Sequence, residues 1–352
     1  GASVMVLERE RLPRYKLCGG GLIGLSLGAL PPGFTPPVRS SARRISLTYD
    51  LGAEVTRDAG GVAFPMVMRS ELDEALALHA RAQGARVVEG TTVTGLREID
   101  GAVAVSTSAG EITAAAVVGA DGSAGRTARH VGARFSQVDL GMERELWAPD
   151  GLAQAWHDRV LLDFGRVPGA YAWVFPKGDR LTVGAIASKG RSAEQRAYVD
   201  ALVARLGLAG LEVAHEGGHL TRCRAQGSPL ARGRVLLAGD AGGLLEPWTR
   251  EGISYALRSG ALAGAAAADL ANGDDTAADA YAVHVESTMG SEMAVGARAL
   301  RAYERHPGAF YRALAHTSIG WKSFVRLARG ETTLARAGRR PVVRAALRSL
   351  GG

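Results

Sequence analysis

Cysteine is almost missing from this chain: only Cys18 and Cys223 carry a thiol among 352 residues. Two cysteines cannot build a disulfide framework, and neither stands in a metal-ligand spacing, so a reducing, cytoplasmic setting is expected. Long hydrophobic runs are missing too. No apolar stretch reaches the ~18 residues of a membrane-spanning helix, and the nearest, around residues 261–271, is short and alanine-rich. The start of the chain does not read as a secretory signal. Aromatic residues make up only 6% and are not interleaved with basic ones, and no nucleic-acid-binding module is recognisable, which excludes nucleic acid as an expected partner. The eight histidines do not cluster. His215 and His219 lie four apart, but Glu216-Gly217-Gly218 between them is a poor helix, so no metal site is expected. With no G-x-S-x-G elbow and no Walker loop, neither hydrolysis nor phosphoryl transfer is indicated.

What is present suits a globular protein of two domains, or one domain interrupted by another: 47% hydrophobic residues against 22% charged. The formal charge of +7 is unevenly placed. Residues 322–352 hold eight basic residues (Lys322, Arg326, Arg329, Arg336, Arg339, Arg340, Arg344 and Arg348) against the single acid Glu331, leaving the rest of the chain neutral on balance. A basic segment on a neutral body fits a surface that touches anionic lipid. Trp321, Phe324, Val325 and Ala328 share one helical face there, with Lys322, Arg326 and Arg329 on another, the pattern of an interfacial or simply solvated helix.

The stretch from Arg234 to Gly260 organises the remainder. An apolar strand, Val235 to Ala238, runs into Gly239-Asp240, and a long alanine-rich helix begins near Glu251. Glycine lets backbone approach a ligand, aspartate accepts hydroxyl hydrogen bonds, and a helix start favours negative charge. A reduced flavin, with its ribityl hydroxyls and anionic ring, is such a ligand. A second apolar strand, Ala115 to Ala120, delivers Asp121-Gly122 in the same manner. At the beginning, Ala2 to Leu7 reads as a strand ending in Glu8, matching the second strand of a dinucleotide-binding unit, whose acid holds a ribose. No G-x-G-x-x-G precedes it, so the first strand and its phosphate loop are expected to be absent. Arg11 to Leu22 is a loop by composition, in which Gly19, Gly20 and Gly21 let backbone lie flat against something large, with Cys18 at its edge. Arg69 precedes a helix opened by a capping-box pattern at Ser70. Tyr171, Trp173 and Phe175 alternate, so they point to one face of a strand, as sheet core or as a pocket wall.

In this order, Glu8, PRYKLCGGGL (13–22), Arg69, GADG (119–122), YAWVFPKGD (171–179) and LLAGDAGGLLEPWTREGISYAL (236–257), the chain resembles the geranylgeranyl reductase family of flavoproteins over residues 4–270. The resemblance implies an FAD enzyme that reduces double bonds of a prenyl chain on a lipid, quinone or diphosphate, fed by NAD(P)H or ferredoxin. The implied fold is α/β: a three-layer, Rossmann-like FAD-binding domain (1–42, 70–135 and 231–275), an antiparallel-sheet substrate domain (43–69 and 136–230), and a helical C-terminal region (276–352). Carried over, Glu8 holds the adenosine ribose, Arg69 sits at the FAD, Asp121 and Gly122 belong to the cofactor turn, and Gly239 and Asp240 bind the ribityl or pyrophosphate portion. Gly252 and Ile253 present backbone N–H groups to the flavin's pyrimidine edge, and Gly19 to Gly21 border its ring. Tyr171, Trp173 and Phe175 lie along the prenyl channel, the first two at the reaction centre. Cys18 is the proton donor or its neighbour. Arg250 replaces the usual first glycine of Gly-Glu-Gly-Ile, where it either crowds the flavin or pairs with a substrate phosphate. Two rivals stay open: a flavin monooxygenase or tailoring oxidase acting on an aromatic compound, and a degenerate fold that only binds. The expected location is cytoplasmic, with peripheral membrane contact through the basic C-terminal region.

Overall fold

Short alternating apolar runs, cut by glycine and proline, divide the first third of the chain into small strands. The computed structural model describes residues 2–339 and 343. Strands β1 (Met5–Leu7), β2 (Val38–Ala42), β3 (Arg44–Tyr49), β4 (Val55–Asp58) and β5 (Phe64–Val67) precede helix α1 (Arg69–Ala82). Then come β6 (Arg86–Val88), β7 (Val93–Ile99), β8 (Ala102–Thr107), β9 (Gly110–Ala114), β10 (Val117–Gly119) and α2 (Arg126–Val131). The middle of the chain supplies β11 (Phe135–Trp147), α3 (Asp150–Trp156), β12 (Arg159–Phe164), β13 (Tyr171–Pro176), β14 (Arg180–Ser188), α4 (Ser192–Arg205) and β15 (Val213–Arg224). After β16 (Ala231–Arg232) and β17 (Val235–Leu237) the chain is helical: α5 (Ile253–Ala271), α6 (Ala277–Val285), α7 (Ser291–Arg305), α8 (Pro307–His316), α9 (Ser318–Ala328) and α10 (Leu334–Gly338).

Two parallel pairings form the α/β part, β1 with β6 and β10 with β17. Val235, Leu236 and Leu237 are fully buried, as a strand covered on both faces requires. Among the described residues β1 pairs on one side only, and Val4, Met5 and Val6 are exposed. The meander read from the sequence is present as the antiparallel sheet β7-β8-β9.

The largest sheet has seven strands in the order β15-β11-β14-β13-β12-β3-β4, antiparallel except at β12–β3. One face packs Val174, Val183 and Ala185 against Tyr198, Val199 and Leu202 of α4. The opposite face packs Leu47, Trp173 and Ile186 in the same core as Tyr303, Trp321 and Val325 of the C-terminal helices. Side chains alternate between these two cores because a strand has a period of two.

One local expectation fails. Helix α1 starts at Arg69, after an extended Met68, with no side-chain cap, so Ser70 lies inside the first turn. The Asp73 carboxylate, expected to complete a capping box, is held instead by Arg69 four residues earlier, at 2.8 Å, and by Arg14 at 3.1 Å. Arg340, Arg344 and Arg348 lie outside the described residues. Among the described residues no helix is long and apolar enough to cross a membrane.

Candidate functional site

Parallel strands bring their C-terminal ends to one edge, and β10 and β17 do so with Gly119 beside Leu237. Beyond β17, Gly239 adopts φ +53°, and a Cβ there would fall 3.1 Å from Ala256, so a side chain between the turn and α5 would be strained and crowded. The Asp240 carboxylate lies at the start of that helix: a Cβ on Gly252 would come within 3.4 Å of its Oδ1 and 2.9 Å of Leu245. Burial opposes ionisation of Asp240, yet His219, Lys16 and Arg69 outweigh it and hold the carboxyl below its usual pKa. His219 Nε2 is 3.8 Å from Asp240 Oδ2 and has no hydrogen-bond partner among the described residues.

Asp121 is placed differently. Its carboxylate accepts the Thr127 N–H at 3.0 Å and the Thr127 hydroxyl, so it is taken up by the first turn of α2, while Gly122 (φ +78°) makes the turn. Glu8 continues from β1 and receives Arg14 Nε at 3.3 Å. Arg14 in turn meets Asp73, which Arg69 grips through two bonds at 2.8 and 3.0 Å. Glu8 and Arg69 are thereby joined through Asp73, read from the sequence only as part of a cap, and through Arg14, which sequence reasoning passed over. Lys16 is a second: burial first, and Arg69 second, lower its ammonium's pKa, while Asp240 supports the charge.

The segment 14–21 runs across the β15-β11-β14-β13 end of the large sheet. Tyr15 stacks on His215 at 4.0 Å, Leu17 covers Gly217, and Gly19 lies against Trp173 and Phe175. Cys18 O accepts Lys177 Nζ at 2.7 Å, and Gly20 (φ +77°) accepts the Val67 N–H at 2.9 Å. Odd residues of this segment therefore face the sheet, while Arg14 and Lys16 face Asp73 and Asp240. That period of two was available in RLPRYKLC, hidden by the proline and the basic residues that made it read as a plain loop.

Register explains how the sheet accepts this segment. Trp173, Gly184, Glu143 and Gly217 lie in one row across four strands. Gly184 leaves the space into which the Trp173 ring folds; any side chain there would overlap the ring. Glu143 is buried in that row with neither oxygen hydrogen-bonded among the described residues, and Trp173 Nε1 is likewise without a partner. Burial pushes the Glu143 carboxyl up to about 7 despite Lys177 nearby. Lys177 is fully buried and pairs with Glu145 at 3.2 Å. The signal for this acidic row was the alternation Asp139, Glu143, Glu145 within a strand, ordinarily read as a solvated edge.

Tyr171 donates its hydroxyl to Thr249 O, and Trp173 is buried, so both stand within the aromatic core. Phe175 stacks toward Phe64 at 6.1 Å, and Phe64 lines an open cleft of about 680 Å³, solvent included. Trp248, Tyr255, Phe324 and Leu327 line the same cleft, as do Glu246 and Glu251 of the 246–251 turn. Arg250 does neither thing weighed from the sequence. Its side chain is buried, 3.0 Å from Asp139 Oδ2 and 2.7 Å from Trp248 O, on a left-handed backbone (φ +55°).

The donor set suits FAD: an acid at a strand end (Glu8), a glycine-walled aspartate (Asp240), two half-buried cations (Lys16, Arg69), and a helix start at Gly252-Ile253. The unpartnered His219 Nε2 beside Asp240 is a further polar atom left for a ligand. A family model described as "FAD binding domain" matches residues 38–285. Digeranylgeranylglycerophospholipid reductase 3 of Methanosphaera stadtmanae is 30% identical over 83% of this chain and 78% of its own length. The fold is shared with a geranylgeranyl bacteriochlorophyll reductase-like protein of Thermoplasma acidophilum (TM-score 0.74, 17% identity, covering 99% of this chain and 98% of that one). It is shared also with a flavin-dependent brominase (TM-score 0.71, 16% identity, 99% and 92%).

Proposed function

Because the chain belongs to the geranylgeranyl reductase family of FAD-dependent oxidoreductases, we propose that it saturates C=C bonds of a long prenyl chain carried on a lipid, a quinone or a diphosphate. The observation that carries this reading is the apolar cleft opening between Phe64, Trp248 and Leu327 and reaching Glu251, next to the Asp240–Gly252 contact. Once reduced, FAD supplies the hydride. The chain's own residues bind and orient: Glu8, Lys16, Arg69 and Asp240 hold the polar parts of the cofactor, and Gly252-Ile253 offer backbone donors at the positive end of α5. Gly19 to Gly21 shield the site from water on the sheet side. The hydride needs a matching proton, for which Cys18 remains the proposed donor or its neighbour. Its carbonyl is anchored by Lys177, which fixes the position of the thiol's residue. NAD(P)H or ferredoxin is the proposed source of electrons. The described part of the basic C-terminal region, α9 above all, is the proposed point of peripheral membrane contact.

The brominase's shared fold supports a second reading, an oxygen-using flavoenzyme acting on an aromatic compound. One experiment separates them. Flavin-loaded protein, reduced without oxygen and given a geranylgeranyl compound, is expected to yield product heavier by two hydrogens per bond. Stoichiometric oxygen consumption with a hydroxylated or halogenated product would instead favour the second reading. Protein that never acquires flavin absorbance would leave only a binding role.

A further inference from the structure

The cleft beside α5 has an uneven wall. Ile23, Leu25, Phe64, Phe324 and Leu327 give it carbon surface, but among the described residues its charged lining is acidic: Glu246, Glu251 and Glu292 against one cation, Arg258. That cation is fully committed, since its two terminal nitrogens each meet a Glu292 oxygen at 3.0 Å. Glu246 is 6% exposed and accepts the Trp248 N–H at 3.1 Å together with the N–H and hydroxyl of Thr249. Glu251 accepts the Ser254 N–H at 2.7 Å and hydroxyl at 2.6 Å. Lys16 and Arg69 are not among the lining residues.

We propose that this cleft admits a prenyl chain whose head is uncharged and hydrogen-bonding, a hydroxyl or a quinone carbonyl, and rejects a prenyl diphosphate. The inference rests on the prenyl-reductase reading and narrows its substrate class. A diphosphate seated here meets acidic side chains and, among the described lining residues, no uncommitted cation, so it loses its water without gaining a counter-charge. A hydroxyl can donate to Glu246 or Glu251 at no such cost. A carbonyl can accept from Glu251 in its protonated form, which burial favours by pushing its carboxyl up to about 7 against the Ser254 bonds. Burial raises Glu246 in the same direction.

Isothermal titration of flavin-loaded, unreduced protein with geranylgeraniol, a prenyl quinone and geranylgeranyl diphosphate tests this without turnover. The neutral compounds are expected to bind at least about tenfold more tightly than the diphosphate. Glu251→Gln is expected to shrink that ratio to about threefold or less, because one carboxylate no longer opposes the phosphate. Leu327→Trp, which fills the cleft, is expected to weaken all three ligands together. Should that variant fold poorly by circular dichroism, Thr332→Trp at the same lining gives the same comparison. Equal or tighter binding of the diphosphate overturns the inference while leaving the reductase reading standing. An unchanged ratio in Glu251→Gln, or cleft-filling variants that bind normally, also overturns it. If none of the three prenyl compounds binds, the reductase reading falls and the inference with it.

Discussion

Glu143 is a carboxyl group enclosed by a sheet and a glycine loop, with its two oxygens unpaired among the described residues. Its pKa rises from the ordinary 4.5 to about 7 on folding, so between those values the native state holds a proton that the unfolded chain has released. Stability from this group is therefore full below pH 4.5 and is lost as pH rises through 7. Glu143→Gln, which cannot ionise, is expected to remove up to about 3 kcal/mol of the stability difference between pH 5 and pH 8, measured by urea unfolding at both. Glu251 has the same sign and leaves part of the slope in place. Arg250 gives a second residue-level expectation. Arg250→Met alone leaves Asp139 buried without its cation and is expected to cost about 3–5 kcal/mol, whereas pairing it with Asp139→Leu should recover most of that loss in the same assay. Such recovery would mark the pair as a structural bolt; persistent loss would point to a role for Arg250 beyond Asp139.

At the scale of elements, the site depends on one extended segment lying across one sheet. Gly184→Ala places a methyl where the Trp173 ring lies, and overpacking of this kind is expected to cost about 1–3 kcal/mol with a shift in tryptophan emission. Much of this arrangement was legible beforehand. The alternation Tyr171, Trp173, Phe175 does put three rings on one face, and the apolar strands at 117–119 and 235–237 do end beside each other, because period two and continuous apolarity survive without an alignment. The acids of β11 were not legible, since a carboxylate in a strand is ordinarily solvated and only the packing of segment 14–21 over it reveals its burial. Arg14 and Lys16 escaped notice for the complementary reason: Asp73, which Arg14 bridges, and Asp240, whose charge supports Lys16, are more than fifty residues away in sequence. The capping box at Ser70 failed because ion pairing with Asp73 competes with capping, and nothing local signals which one prevails. The role imagined for Arg250 failed for a similar reason, as Asp139 lies over a hundred residues earlier.

For the whole molecule, the distribution of charge and of exposed carbon matters more than any pair. Helix α9 buries Trp321, Val325 and Ala328, lines the cleft with Phe324 and Leu327, and leaves Ile319 79% exposed beside Lys322 and Arg326. If this helix meets a bilayer, a prenyl lipid would have a short path from membrane to cleft. Sedimentation with vesicles containing anionic lipid is expected to carry the protein down, less so at high salt, and Ile319→Glu with Lys322→Glu should abolish the effect. Salt-independent binding, or binding unaffected by these changes, would remove α9 from that role.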